Sequence, residues 1–186
     1  MKQRGIIKNL IIQAWNQSIA EDYCNQRINS ERSLQASLWS HLNRKISKNR
    51  RLFIEPVMTI RDKGENKKFI PDIVVCNTKE VISIIELKYL PRTNPRYKKD
   101  IESLALIAKN RHQITIANER FRGTEKDSTQ YALSKNVLFV WAGVHARNRT
   151  GTYHLYSDGY KALDGCYLQL HAQTASNSRP EVFEIK

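Results

Sequence analysis

The sequence predicts an α/β protein in which a mixed sheet is flanked by helices. Three observations predict it. Apolar residues recur at helical spacing through the first 46 positions. Three strand-like runs then crowd between Leu52 and Lys88, separated by short polar connections. Helical spacing returns after Tyr97 and is followed by the unbroken apolar run Val137 to Val144. An order of helix, three strands, helix and strand packs best as a sheet covered on its faces by helices.

The elements follow in order. Ile6, Leu10, Ile11, Ala14, Trp15 and Ile19 make one face of a helix over 2–24. A second helix starts after Ser30, an N-cap residue, and carries Leu34, Leu38, Leu42 and Ile46 on one stripe. Residues 52–61 read as a strand, 62–68 as a polar turn around Gly64, and 69–76 as a second strand. A tight connection at 77–80 leads to a third strand, VISIIELK, over 81–88. Together the three runs suggest an antiparallel meander. Pro91 and Pro95 mark a loop. A helix follows over 97–111 with Ile101, Leu104, Ala105 and Ala108 on one face. Residues 114–117 fit a short strand or the tail of that helix, 118–128 an exposed loop, and 129–135 an extension of a helix. The run 137–144 is a strand buried on both faces. Strands are expected at 152–156 and 166–171, and a turn-rich tail over 174–180.

The chain has 186 residues, enough for one domain with a full core. Thirty-one Lys and Arg against eighteen Asp and Glu give a net charge of +13. Such an excess favours a polyanionic partner, because each cation that meets a phosphate releases a counterion. Cys24, Cys76 and Cys166 lie far apart without a CxxC pair, which speaks against a zinc ribbon and fits a reducing, cytoplasmic setting. The histidines show no HExxH spacing. The longest apolar run is far short of the ~20 residues of a membrane span, so no membrane partner is expected.

The chemistry gathers in the central runs. In VISIIELK, Glu86 and Lys88 are two apart and share a face, while Ile85 and Leu87 point to the core. Ile82 and Ile84 precede them in the same alternation, which marks that face as largely buried. Asp72 follows Pro71 near the start of the neighbouring strand, and a short hairpin brings the two carboxylates together. Converging carboxylates raise each other's pKa unless a cation joins them. Hard oxygen donors suit Mg²⁺ or Mn²⁺. A compact ammonium at Lys88 suits charge stabilisation on a phosphate.

FIPDIVVC and VISIIELK together resemble the motif of the PD-(D/E)XK nuclease superfamily, which includes restriction endonucleases and Holliday-junction resolvases. The resemblance covers 30–144. It implies a restriction-endonuclease-like αβββαβ catalytic core there, with an extra N-terminal helix over 1–29 and C-terminal strands and tail over 145–186, all in one domain. It implies a metal-dependent endonuclease acting on DNA, with Asp72, Glu86 and the backbone carbonyl of Leu87 as metal ligands and Lys88 as the catalytic lysine. Many members carry a further Glu on the first core helix. Glu31 is the candidate, sharing the inward stripe with Leu34 and Leu38; its alternative role is a first-turn Glu favoured by the helix dipole. Gln35, one turn on, is a weaker candidate. Members are often dimers, so a homodimer is an expectation.

Basic residues flank the motif. Residues 44–68 and 88–122 each hold nine Lys or Arg against three acids. Arg92, Arg96, Lys98 and Lys99 directly follow the third strand and are candidates to grip the phosphate backbone. The alternative to an enzyme is a nucleic-acid-binding protein, or a subunit of a nucleoprotein complex, that keeps the fold without the chemistry.

Overall fold

The computed structural model describes residues 2–62, 65–94, 97–146, 160–175 and 178–185. Helix α1 (Lys2–Gln17) runs into a wider π-helical turn (Ser18–Tyr23), so the predicted helix is broken one turn before its end. The change begins where the Ser18 hydroxyl donates to the Ala14 carbonyl at 2.9 Å. Asp22 then anchors the turn by accepting from Ser37 at 2.6 Å and pairing with His41 at 3.0 Å. Both partners lie on α2 (Glu31–Lys45), whose start is capped as predicted. The Ser30 hydroxyl accepts from the Ser33 amide at 3.2 Å, and the Ser33 hydroxyl accepts from the Ser30 amide at 3.0 Å.

The strand run over 52–61 is two strands, β1 (Arg51–Ile54) and β2 (Met58–Asp62). The run over 69–76 divides in the same way, into β3 (Glu65–Phe69) and β4 (Ile73–Cys76). Most of the predicted 62–68 turn is therefore strand. Pairings β1–β4 and β2–β3 are both antiparallel, from Arg51↔Cys76 to Ile54↔Ile73 and from Met58↔Phe69 to Asp62↔Glu65. Paired positions add to 127 in each, so the four strands are one long ribbon interrupted at 55–57 and 70–72. Pro56 and Pro71 sit in the two gaps and cannot donate to a ladder. Glu55, at φ 48°, takes the left-handed conformation that turns the ribbon.

Strand β5 (Glu80–Leu90) pairs antiparallel with β4. Helix α3 (Lys98–Lys109) carries the chain to β6 (Thr115–Arg122) and the long β7 (Glu125–Ala146). Residues 118–135, expected as loop and helix, are instead a hairpin of β6 with the first half of β7, from Thr115↔Ala132 to Arg122↔Glu125. Their polar side chains hide strands that pair with each other along the whole hairpin. The second half of β7 runs parallel to β5 and to β8 (Tyr167–Ala175). The tail also forms a strand, β9 (Ser178–Ile185), antiparallel to β8, so the described part of the expected turn-rich segment 174–180 is strand. The expected strand at 152–156 lies outside the described residues.

The sheet order is β1-β4-β5-β7-β6-β2-β3, with β8 and β9 branching from β7. Strands β1 and β2 sit far apart in that order, yet only residues 55–57 join them. Four residue steps span at most about 14 Å, so the sheet must curl back towards itself without closing. One face packs Ile7, Ile11 and Trp15 of α1 and Leu34, Leu38 and Leu42 of α2 on Ile85, Leu87 and Val140. The other packs Ile101, Leu104 and Ala108 of α3 on Val74, Ile84 and Phe139. Residues 137–144 alternate between the two cores and are buried on both faces, as predicted. One alternation differs. A register shift between Val81 and Ser83 in the pairing with β7 places Ile82 on the α1–α2 side, opposite to Ile84. The mixed sheet with helices on both faces matches the predicted fold class at that level.

Among the described residues, no helix is long and apolar enough to cross a membrane. The three cysteines are free thiols.

Candidate active site

Ladder β4–β5 ends with Ile73 opposite Ile85. One step further in the same register, Asp72 stands opposite Glu86. Both side chains fall on the α3 face, the face of Val74 and Ile84. Because the ribbon breaks at 70–72, β5 continues without a neighbour on that edge. Its amides are taken up by side chains instead. The Leu87 amide donates to Asp72 Oδ2 at 2.6 Å, and the Tyr89 amide donates to Glu31 Oε2 at 3.2 Å. Two carboxylates thus replace a missing strand. In a strand the N–H and C=O of one residue point to the same edge, so the Leu87 carbonyl also opens beside Asp72.

The bend itself is pinned from α2. Gln35, buried at 6% exposure, donates from Nε2 to the Asp72 carbonyl at 2.9 Å, and to Glu55 Oε1 at 3.5 Å. The Glu55 amide also donates to the Asp72 carbonyl at 3.1 Å. Gln35 therefore fixes the backbone that carries Asp72.

Lys88 follows Glu86 on the same face, across from Gly143 of β7. Its ammonium lies 3.4 Å from Asp100 Oδ1 and 3.9 Å from Glu31 Oε1. Asp100 was not singled out from the sequence. It sits in the first turn of α3, where an acid is ordinarily explained by the helix dipole. It is nonetheless buried, and its Oδ2 accepts the indole N–H of Trp141 at 3.3 Å. The only hint in the sequence is its phase: Asp100 precedes Ile101 and Leu104 on the inward stripe.

Four carboxylates therefore surround one ammonium inside a chain of net charge +13. Burial pushes the Asp72 carboxyl up to about 6, although the Leu87 amide opposes the shift. Burial, reinforced by the charges of Asp72 and Asp100, pushes Glu86 up to about 9. Burial also raises Asp100. For Lys88, burial works to lower the pKa, but the charges of Asp100 and Glu31 outweigh it and the net shift is upward.

Among the described residues, no three Asp, Glu, His or Cys side chains converge as a ready-made metal cage. Asp72 and Glu86, with the Leu87 carbonyl between them, are an all-oxygen set. Mg²⁺ is commonly held by one or two carboxylates with waters and substrate phosphate, so these donors fit that ion. Glu31 reaches the site but spends one oxygen on Tyr89 and directs the other to Lys88.

Of the basic residues, Arg92, Lys98 and Lys99 are exposed. Arg92 lies two residues past the end of β5, and its charge acts on Tyr89. Lys98 and Lys99 begin α3, and the charge of Lys99 acts on Asp100. Arg96 lies outside the described residues.

Compared with known proteins, the chain matches no family model, no curated protein and no solved structure.

Proposed function

We propose that the chain is a metal-dependent nuclease that hydrolyses phosphodiester bonds in nucleic acid, with DNA as the first substrate to test. On this reading α2, the β4–β5 region, α3 and β7 form a restriction-endonuclease-like core. The observation that carries it is the placement of Asp72 opposite Glu86, both carboxyls raised in pKa, with Lys88 on the same face and its ammonium held by Asp100 and Glu31. Buried like charges without a counterion are costly unless protons or a cation neutralise them.

Asp72, Glu86 and the Leu87 carbonyl would hold Mg²⁺ or Mn²⁺. A bound cation supplies a water of lowered pKa and polarises a phosphoryl oxygen. Lys88 donates a hydrogen bond to the attacking water or to a non-bridging phosphate oxygen, where negative charge grows in the transition state. Arg92, Lys98 and Lys99 bind neighbouring phosphates and orient the strand. Two lysines at the start of α3 oppose the helix dipole, which favours anions there. A phosphate ligand makes that placement favourable.

A non-catalytic nucleic-acid-binding protein is the second reading. It is favoured by the two carboxylate oxygens that already accept strand amides, at Leu87 and Tyr89.

Supercoiled plasmid incubated with the protein and Mg²⁺, Mn²⁺ or EDTA separates the two. Nicking that needs metal and vanishes in Glu86→Gln and Lys88→Ala supports the nuclease. Retarded but uncut nucleic acid, tested as duplex, branched and single-stranded forms, with both variants binding as well as the parent, supports the binding protein.

A further inference from the structure

Lys88 does not stand where charge alone would put it. Glu86 lies two residues earlier on the same face, and Asp72 stands opposite Glu86. Yet among the described residues the ion-pair contacts of the ammonium within 4 Å are to Asp100 and Glu31. Glu86 has no hydrogen-bond or ion-pair partner among those residues.

The Asp100 contact is built from the core outwards. Trp141 is fully buried and packs edge-on against Tyr97, ring centres 5.0 Å apart. Its indole covers Gly143: a Cβ there would lie 2.2 Å from the ring. Held in this way, the indole N–H donates to Asp100 Oδ2, and Asp100 Oδ1 faces Lys88. Indole, carboxylate and ammonium are thus linked in series, with the indole at the core end.

We propose that Asp100, braced by Trp141, is a positioning residue that draws Lys88 towards α3 and so keeps the space between Asp72 and Glu86 open to a divalent cation. Without Asp100, the four-carbon stem of Lys88 lets the ammonium swing onto Glu86. It then acts as an internal cation competing with the metal. This inference rests on the metal-dependent reading above, and it concerns Lys88 as a competitor rather than as a catalyst.

The test is Mn²⁺ binding to the protein without nucleic acid, measured by calorimetry and by Mn²⁺ electron paramagnetic resonance. Four forms are compared: the parent, Asp100→Asn, Lys88→Met and the double variant. Asn still accepts from Trp141, and a thermal melt checks the fold of each. Asp100→Asn is expected to weaken Mn²⁺ by about tenfold or more with Lys88 present, and by less than about threefold in the Lys88→Met background. Trp141→Phe, which cuts the brace at its other end, is expected to give a smaller weakening with the same dependence on Lys88. Equal weakening with and without Lys88 overturns the inference, because Asp100 then acts directly on the metal; so does unchanged affinity in Asp100→Asn. Either result leaves the nuclease reading standing. A parent protein that binds no Mn²⁺ removes both.

Discussion

Asp72 and Glu86 face each other one step beyond the last paired residues of the β4–β5 ladder, and no Lys or Arg among the described residues lies within ion-pair distance of either. Their neutralisation is therefore left to protons or to a ligand. Both alternatives have measurable consequences.

The first concerns stability. Glu86 holds its proton to about pH 9 in the folded chain, against an ordinary value of 4.5. The folded state binds the extra proton between those limits, so stability is lost as pH rises through them. One proton contributes a slope of up to about 1.4 kcal/mol per pH unit. Without divalent cations, the melting temperature is expected to fall by several degrees between pH 6.5 and 8.5, and Glu86→Gln is expected to flatten that fall. Thermal melts monitored by circular dichroism decide it; a parent curve that is level or rises sinks the expectation.

Cation affinity follows from the same proton. A divalent ion that binds Glu86 must expel it, so affinity for Mg²⁺ or Mn²⁺ is expected to rise about tenfold per pH unit below pH 9. Below about pH 6 the proton on Asp72 steepens the dependence. Calorimetry in two buffers of different ionisation enthalpy counts the protons released. Binding at pH 7 that releases none contradicts the assignment of Glu86 as a ligand.

His145 and His171 predict the opposite slope at acid pH. His145 Nε2 and His171 Nδ1 are 2.9 Å apart in the core, and His145 Nδ1 lies 2.8 Å from the Ala146 carbonyl. With both rings neutral, His145 Nδ1–H donates to the Ala146 carbonyl and His171 Nδ1–H to His145 Nε2, while His171 Nε2 faces the Gln169 side-chain amide at 3.1 Å. Burial, with His145 beside it, pushes His171 down to about 3. The unfolded chain then binds the extra proton between about pH 3 and the ordinary 6.5, and stability is lost as pH falls through that range. Because Glu86 opposes this effect, denaturant melts are compared in Glu86→Gln and Glu86→Gln/His171→Gln. The acid loss is expected to be smaller in the second; equal losses would exclude the histidine.

Gly143→Ala tests the brace behind the site. The added methyl meets Trp141 side-chain carbons at 2.2 to 2.9 Å, and the indole must move. Overpacking of this kind costs about 1–3 kcal/mol. The displaced indole also releases Asp100, so metal-dependent cleavage is expected to fall further than stability alone requires. A variant as stable and active as the parent would show that the indole yields freely.

Much of the site was legible because its signals are local. The two-residue spacing of Glu86 and Lys88 within an apolar run already puts them on one face, and Pro71-Asp72 marks the edge of the partner strand. Stripe residues Leu34 and Leu38 orient Glu31 inward. Asp100 escaped notice because a first-turn acid on a helix has a common explanation, and only the tertiary contact with Trp141 makes it different. The β6–β7 hairpin was hidden for another reason: polar, exposed residues such as Glu119 and Lys126 pair by charge at 2.7 Å across the strands, leaving no apolar alternation to read. Pro56 lies at the break between β1 and β2, inside a run whose apolar residues on either side read as one strand.

The single count shared by both halves of the β1–β4 ribbon bears on how such a protein can diverge. Beyond Thr59, where β2 touches β6 at Thr115, the ribbon can gain or lose residues in matched pairs, one per strand, and Asp72 still meets Glu86. An unmatched insertion must be taken up in the turn or as a bulge, because a one-residue slip carried down the ribbon would turn Asp72 to the wrong face. Reach and site geometry are thereby separately heritable: the arm can be lengthened while the carboxylate pair at its base stays in register.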